Sequence, residues 1–331
     1  MAANLTPQYE KAEAKYKAAT TDEDRLAALQ EMLAEIPKHK ASEKMQAELK
    51  RKISVTRKAM ASAPAAKGVV DHFHVPKGGA GQVVLLGAPN VGKSSLVAVT
   101  TNAPVKVAEY PYTTAIPAPG MWPYEDVQIQ LVDTPPMTAD AVPSGLMGTV
   151  RQSDAIGIIV DASTDPMEQA EMMMGILQER GLKLRSLPRN EMLEDLTQYP
   201  TLLIVNKVDL APAENLEILR ELFGEKLEIL PISTASGEGL DALAKRLWQL
   251  LAVIRIYTKE PGKPCDKEKP YILPIGSTLE DLAREIHRDL PDVMKFARIW
   301  GDGRFDGARV PREEELHDKD IVEIHSDKIV K

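Results

Sequence analysis

Leu26, Leu29, Leu33 and Ile36 recur at three- and four-residue spacing, which draws an apolar stripe along one face of a helix. Thr21 and Asp24 have the spacing of a capping box before it, and Pro37 ends it. A second helix is expected after Ser42, with Met45, Leu49 and Ile53 on its inner face. Joined at 37–41, two antiparallel helices would bury both stripes, so residues 1–62 are expected to form a helical hairpin. Residues 63–81 are rich in Ala, Pro and Gly and read as a linker.

From Gln82 the pattern changes. VVLLGAP is a short aliphatic run ending in a glycine turn, followed by the helix-like SSLVAVTT. VQIQLVD alternates as an edge or half-buried strand would, whereas AIGIIVDA and TLLIVNKVDL are continuous apolar runs, the mark of parallel strands covered on both faces. Helical stretches at Met167–Arg180 and Ala213–Leu222 separate them, and Gly237–Ile254 reads as a closing helix. Residues 82–252 are therefore expected to form one domain with a mostly parallel sheet and helices on both faces. Residues 253–331 hold strands, one helix and further strands, the order of a β-grasp fold, with Ser277-Thr278-Leu279-Glu280 as a capping box before that helix.

The chain has 331 residues, enough for more than one core, with 44% apolar and 27% charged residues. That balance excludes a disordered chain, a collagen-like fibre and a disulfide scaffold. Cys265 stands alone and cannot close an internal disulfide, which favours a reducing compartment. The apolar runs fall far short of the ~18 residues of a membrane helix, and MAANLTPQYEKAEAKYK has no apolar signal core. A cytoplasmic protein without a membrane partner is expected. The net charge of −8 is unevenly spread: residues 38–67 carry nine basic against two acidic side chains, while 21–37 carry one basic against five acidic. Such asymmetry marks either an interaction face or two helices whose opposite charges meet.

The strongest chemical signal is Gly87-Ala88-Pro89-Asn90-Val91-Gly92-Lys93-Ser94, followed by Ser95. It fits G-x-x-x-x-G-K-[ST] between a strand and a helix, where bare amides at a helix N-terminus can cradle phosphates. Lys93 would neutralise the β- and γ-phosphates, and the Ser94 hydroxyl would ligate Mg²⁺. Asn206-Lys207-Val208-Asp209 follows another apolar run. Its Asp209 carboxylate can accept from N1–H and the 2-amino group of guanine, a donor pair that adenine lacks, which selects GTP over ATP. Asn206 would brace the loop, and the Lys207 stem would cover the ring. Asp133, ending VQIQLVD, would hold Mg²⁺ through its water shell, and a hydroxyl of Thr113-Thr114, with Thr114 the candidate, would complete the metal shell. Ser233-Thr234-Ala235 follows the run LEILP, where its backbone could touch the guanine carbonyl.

GAPNVGKSSL, Tyr110-Pro-Tyr-Thr-Thr114, VDTP, VDAS, NKVD and ISTASGEGLDAL, in this order, resemble the boxes of the Obg–HflX group of GTPases. The helices with IPKHKASEKMQAELKRKIS, the entry FHVPKGGAGQ and the tail from RIYTKEPGKP to ARIWGDG resemble the DRG branch with its C-terminal TGS domain. The resemblance implies an α/β fold: a P-loop NTPase G domain between an N-terminal helical hairpin and a β-grasp TGS domain. It also implies Mg²⁺-dependent hydrolysis of GTP at a slow intrinsic rate. Partners would be the ribosome, rRNA or tRNA, or a translation factor, met by the hairpin and the TGS domain. Asn90 matches the residue with which potassium-activated relatives hold K⁺ near the phosphates.

Three features depart from that pattern. Asp133 and Asn206 are too close in sequence for the extra domain that eukaryotic DRG proteins carry inside the G domain. Pro136 stands where the family has a Gly whose N–H contacts the γ-phosphate, and proline has no N–H to donate. Met137 occupies the place of a water-positioning Gln, which a thioether cannot replace. These last two leave a second reading open: a nucleotide-stabilised module for RNA or protein with negligible turnover.

Overall fold

The architecture is that of a computed structural model, which describes residues 7–18, 22–36, 43–62, 72–101, 116–192, 197–301 and 306–326. The N-terminal region holds three helices rather than two: α1 (Pro7–Ala18), α2 (Asp22–Glu35) and α3 (Glu43–Ser62). Tyr9 and Ala12 of α1 join Leu26, Leu29, Met32 and Ile36 with Leu49 and Ile53 in one small core. α1 escapes a periodicity reading because its buried positions include an aromatic and an alanine, Tyr9 and Ala12, within a lysine-rich stretch. Thr21, the expected cap, lies outside the described residues. Lys15 of α1 pairs with Glu31 of α2 at 2.8 Å, and Lys52 pairs with Glu48 on its own helix at 2.9 Å. Lys50, Arg51 and Lys52 are exposed along α3.

The central domain is built from β1 (Gln82–Leu86), α4 (Lys93–Thr100), β2 (Ala118–Tyr124), β3 (Val127–Asp133), α5 (Leu146–Gln152), β4 (Ala155–Asp161), α6 (Pro166–Glu179), β5 (Lys183–Arg185), β6 (Gln198–Asn206), α7 (Ala213–Phe223), β7 (Ile229–Pro231) and α8 (Leu240–Leu251). Its sheet runs β2-β3-β1-β4-β6-β5, with β7 also on β6. Only β2 is antiparallel to its neighbour. β5 pairs with the start of β6 and β7 with its end, along one edge. Between them the Ser186 hydroxyl donates to the Thr201 carbonyl at 2.6 Å and accepts from the Glu228 amide at 2.7 Å, closing the gap.

Alternate residues of each strand enter opposite layers. Val84, Leu86, Ile156, Ile158 and Val160 pack with α5, α6 and α7, while Val83, Leu85, Ile129, Leu131 and Ile159 pack with α4 and α8. β3 is thus an inner strand, not an edge: β2 covers it. The sequence hides β2 because Pro119 and Pro123 interrupt it, which an edge strand tolerates. Residues 72–81 are not a free linker. Val75 is buried in the core beside Phe73, Thr149 donates to the Phe73 carbonyl at 2.5 Å, and the Ala80 amide reaches the Gln128 carbonyl at 2.7 Å.

The closing helix α8 stops at Leu251, earlier than the expected Ile254, because Ala252 turns into the left-handed region and Val253 opens a strand. The C-terminal unit comprises β8 (Val253–Thr258), β9 (Asp266–Pro274), α9 (Leu279–Ile286), α10 (Leu290–Val293), β10 (Met294–Trp300), β11 (Ala308–Val310) and β12 (Ile321–Ser326). Its sheet order is β11-β10-β12-β8-β9, with α9 over one face. The capping box sits one residue later than expected: Thr278 caps, and Asp281, not Glu280, returns the bond. Glu280 pairs with Arg284 instead, at 2.6 Å.

Candidate nucleotide site

Five chain segments converge at the carboxyl edge of the central sheet, where parallel strands present their loops. They are the turn after β1, the ends of β3, β4 and β6, and the turn after β7. Gly87 begins the first turn because a Cβ there would lie 2.4 Å from the Ile159 carbonyl oxygen. Asn90 and Gly92 turn into the left-handed region at φ 61° and 100°. At Gly92 a Cβ would lie 2.1 Å from the Asn206 amide nitrogen, so only glycine fits.

Lys93 opens α4 and is 6% exposed. Its ammonium donates to the Gly87 and Ala88 carbonyls at 3.0 and 2.9 Å. Burial depresses its pKa to about 8, against the opposing pull of Asp133. A desolvated ammonium held by neutral carbonyls is set to exchange them for an anion. The Ser94 hydroxyl donates to Asp133 Oδ2 at 2.6 Å, and Asp133 is buried. Hydroxyl and carboxylate side by side are hard oxygen donors of the kind Mg²⁺ takes, so the residues fit that ion. Ser95 and Pro89 are half-buried and Val91 is buried. Thr113 and Thr114 lie outside the described residues.

Asn206 is fully buried. Its amide donates to the Val91 carbonyl at 2.9 Å, and its carbonyl accepts from the Thr234 amide at 3.1 Å. It therefore ties three loops together rather than reaching solvent, and each lost partner would cost about 1–3 kcal/mol. Lys207 adopts φ 63°, and its ammonium donates to the Asn90 carbonyl at 2.8 Å and to Asp161. Asp209 follows in a single 3₁₀ turn, its side chain exposed. Ser233 is buried and accepts from the Ser236 amide at 3.1 Å, which leaves Thr234 half-buried and Ala235 exposed at the rim. The sequence reading passed over Asp161 as a site residue. The available signal was an acidic residue at the carboxyl end of an apolar parallel strand.

After Asp133 the chain is pinned. The Thr134 hydroxyl donates to the Leu85 carbonyl at 2.5 Å, and the Met137 amide reaches the Gly87 carbonyl at 3.2 Å with its side chain in the core. Pro135 and Pro136 between them have no N–H to offer.

The chain is also similar to known proteins in sequence and in fold. Residues 82–207 match the family described as 50S ribosome-binding GTPase, and residues 254–326 match the TGS domain. Along most of its length the chain is similar to developmentally-regulated GTP-binding proteins. An uncharacterised GTP-binding protein of Halobacterium salinarum is 28% identical across 91% of this chain and 98% of its own length. Developmentally-regulated G-protein 1 of Arabidopsis thaliana is 25% identical across 91% of this chain and 90% of its own. A crystal structure of a GTP-binding protein from Pyrococcus horikoshii covers 74% of this chain and all of its own, with a TM-score of 0.52 at 18% identity, a likeness of fold. The central unit is thus an α/β G domain and the C-terminal unit a TGS domain. Among the described residues no helix is long and apolar enough to cross a membrane.

The two domains are joined at the end of β3 remote from the P-loop. Arg255 of β8 is 2% exposed and donates to Glu125, to Asp126 at 2.8 Å and to Asp318 at 2.6 Å, its guanidinium 4.7 Å over Trp248 of α8. Burial opposes its charge, yet the three carboxylates hold its pKa above the usual arginine value. Tyr257 donates to Asp126 at 2.5 Å, and its phenol is pushed up to about 12 by burial and that bond. Glu125 and Asp126 form the two-residue turn between β2 and β3.

Proposed function

We propose that the chain hydrolyses GTP to GDP and phosphate and works as a switch in association with the ribosome or a translation factor. The observation that carries the reading is the apposition of Ser94 and Asp133 beside a buried Lys93, with Asn206 locking the guanine-type loop onto the same turn. Lys93 would leave the Gly87 and Ala88 carbonyls for the β- and γ-phosphates. Gly87 to Ser95 would cradle those phosphates with backbone amides. Asp209 would read N1–H and the 2-amino group, with Ser233, Thr234 and Ala235 at the purine's other edge. Ser94, Thr114 and Asp133 would hold Mg²⁺, which supplies charge neutralisation at the phosphates when bound. Asn90 would hold K⁺, and Lys207 would fix the base loop.

Titration calorimetry with GDP, GTP and ATP tests the base reading. Preference for guanine nucleotides that collapses in Asp209→Asn is expected; equal affinity for ATP and GTP would refute it. Single-turnover hydrolysis in K⁺ against Na⁺ tests the chemistry, with a faster rate in K⁺ expected. A second reading, a nucleotide-stabilised binding module without turnover, is favoured by one observation: Met137 is buried, with its amide already on Gly87, and cannot orient water. A rate at background in both salts, with ribosomes present, would select it.

For the partner, the family description names the 50S ribosome and a TGS domain follows. Exposed Lys50, Arg51 and Lys52 on α3, with Arg298 and Arg309 on the TGS sheet, would meet rRNA or tRNA phosphates. Ribosome co-sedimentation falling steeply with salt is the expected result. Insensitivity to salt would point to protein contacts.

A further inference from the structure

Asp161 closes β4 and is buried beneath the base loop, though it belongs to none of the phosphate- or base-reading motifs. Both of its carboxylate oxygens are used. Oδ2 takes the Lys207 ammonium, and Oδ1 accepts from the Ser163 amide at 2.9 Å and the Ser163 hydroxyl at 2.6 Å. Its own backbone amide donates to Gln169 Oε1 of α6 at 2.9 Å, and the Gln169 amide donates to the Thr164 hydroxyl at 2.8 Å. Ser163 thus orients the carboxylate through two bonds, and Gln169 fixes the backbone that carries it, before Lys207 meets it.

Lys207 is the residue that needs such an anchor. Its φ of 63° lies in the left-handed region, which a lysine adopts at a cost. That turn sets the direction in which Val208 and Asp209 leave the sheet. The Lys207 side chain reaches back from the turn to Asp161 and, by the same ammonium, to the Asn90 carbonyl of the phosphate loop. Asn90 is itself left-handed. One ammonium therefore bridges the two strained turns on which base and phosphate recognition depend, and the fixed partner of that ammonium is Asp161.

We propose that Asp161 is a positioning residue for guanine selectivity: through Lys207 it holds the base loop at the angle from which Asp209 addresses the purine, and couples that loop to the phosphate turn. The inference rests on the nucleotide reading above and deepens it. Burial works against the Asp161 carboxylate, but the bonds from Lys207 and Ser163 keep its pKa below the usual value, so the anchor is ionised at neutral pH.

The readout is selectivity between GDP and inosine diphosphate, which lacks the 2-amino group, measured by calorimetry on the full chain. Wild type should favour GDP by about tenfold or more, the worth of one charge-assisted bond. Asp161→Ala should lower GDP affinity by about tenfold and shrink the GDP-to-IDP ratio toward one. Asp161→Asn, which keeps an acceptor but no charge, should fall between, with about a threefold loss. The double variant Asp161→Ala/Lys207→Met should bind GDP no more weakly than Lys207→Met alone, since both remove one anchor. A GDP-to-IDP ratio unchanged in Asp161→Ala overturns the inference, as does additivity in the double variant. If Asp161→Ala does not fold, Asp161→Asn decides, and wild-type affinity and ratio in it overturn the proposal. A wild-type chain that takes neither nucleotide overturns the nucleotide reading, and this inference with it. Wild-type selectivity that survives loss of Asp161 overturns the inference alone.

Discussion

Lys93 and Arg255 are the buried cations among the described residues, and they sit beyond opposite ends of β3 in opposite conditions. Lys93 has two neutral carbonyls beside it, and burial lowers its pKa to about 8. Arg255 has carboxylates from Glu125, Asp126 and Asp318 and an indole face, and its pKa is raised. A cation surrounded by acids is finished, and it welds two domains. A cation left among carbonyls is desolvated but not neutralised, so the free energy of neutralising it remains available to a ligand. The two ends of one strand thus separate architecture from chemistry.

The largest test of that contrast is Lys93→Met. Affinity for GTP should fall by about 100- to 1000-fold, two charge-assisted bonds to the β- and γ-phosphates, in calorimetry. Ligand-free stability should not fall, because a desolvated ammonium has been removed. Arg255→Met should do the reverse. It strands carboxylates in a closed interface and should cost about 3 kcal/mol in denaturant unfolding, discounted for their partial exposure, while GDP affinity stays within about twofold. A stable Arg255→Met, or an unstable Lys93→Met, would break the comparison.

A pH series sharpens it. The Lys93 pKa in the ligand-free fold lies below its unfolded value of about 10.5, so between pH 8 and 10.5 the unfolded chain binds the extra proton. Stability of the ligand-free chain should therefore rise with pH across that window by up to about 3 kcal/mol relative to Lys93→Met. A flat difference between the two proteins would show that the ammonium is not desolvated. Arg255 contributes nothing there, since it stays charged throughout.

The smallest effect concerns the turn after Asp133. Pro136→Gly restores an amide where two prolines and a pinned Met137 leave none. It should raise GTP affinity relative to GDP by about 10- to 150-fold, the worth of one bond to a charged phosphate. An unchanged ratio in paired titrations would mean that another group already reads the γ-phosphate.

Much of the site was legible because its chemistry is local. The spacing of Gly87, Gly92, Lys93 and Ser94 and the run Asn206–Asp209 declare themselves in a few residues, since one turn must present amides and one loop a carboxylate. Asp161 was not legible as a site residue. Its partner Lys207 is 46 residues away, and an aspartate ending an apolar strand has no periodicity of its own. β2 was missed because its prolines argue against a strand until an edge position is known. Residues 72–81 were misread as linker because the core that buries Val75 is built largely by α5, β4 and α6, far along the chain.

Sequence alone determined the order of β1, β3, β4 and β6 with α4, α6, α7 and α8, the phosphate and base loops, and a β-grasp-like tail, because periodicity and motif spacing are properties of neighbouring residues. Only the tertiary structure decided that α1 completes a three-helix core, that Asn206 bolts three loops and that Arg255 draws acids from two domains around itself. Those contacts join residues dozens to more than a hundred positions apart. Which of many polar side chains is buried among which partners is settled by packing, not by spacing along the chain.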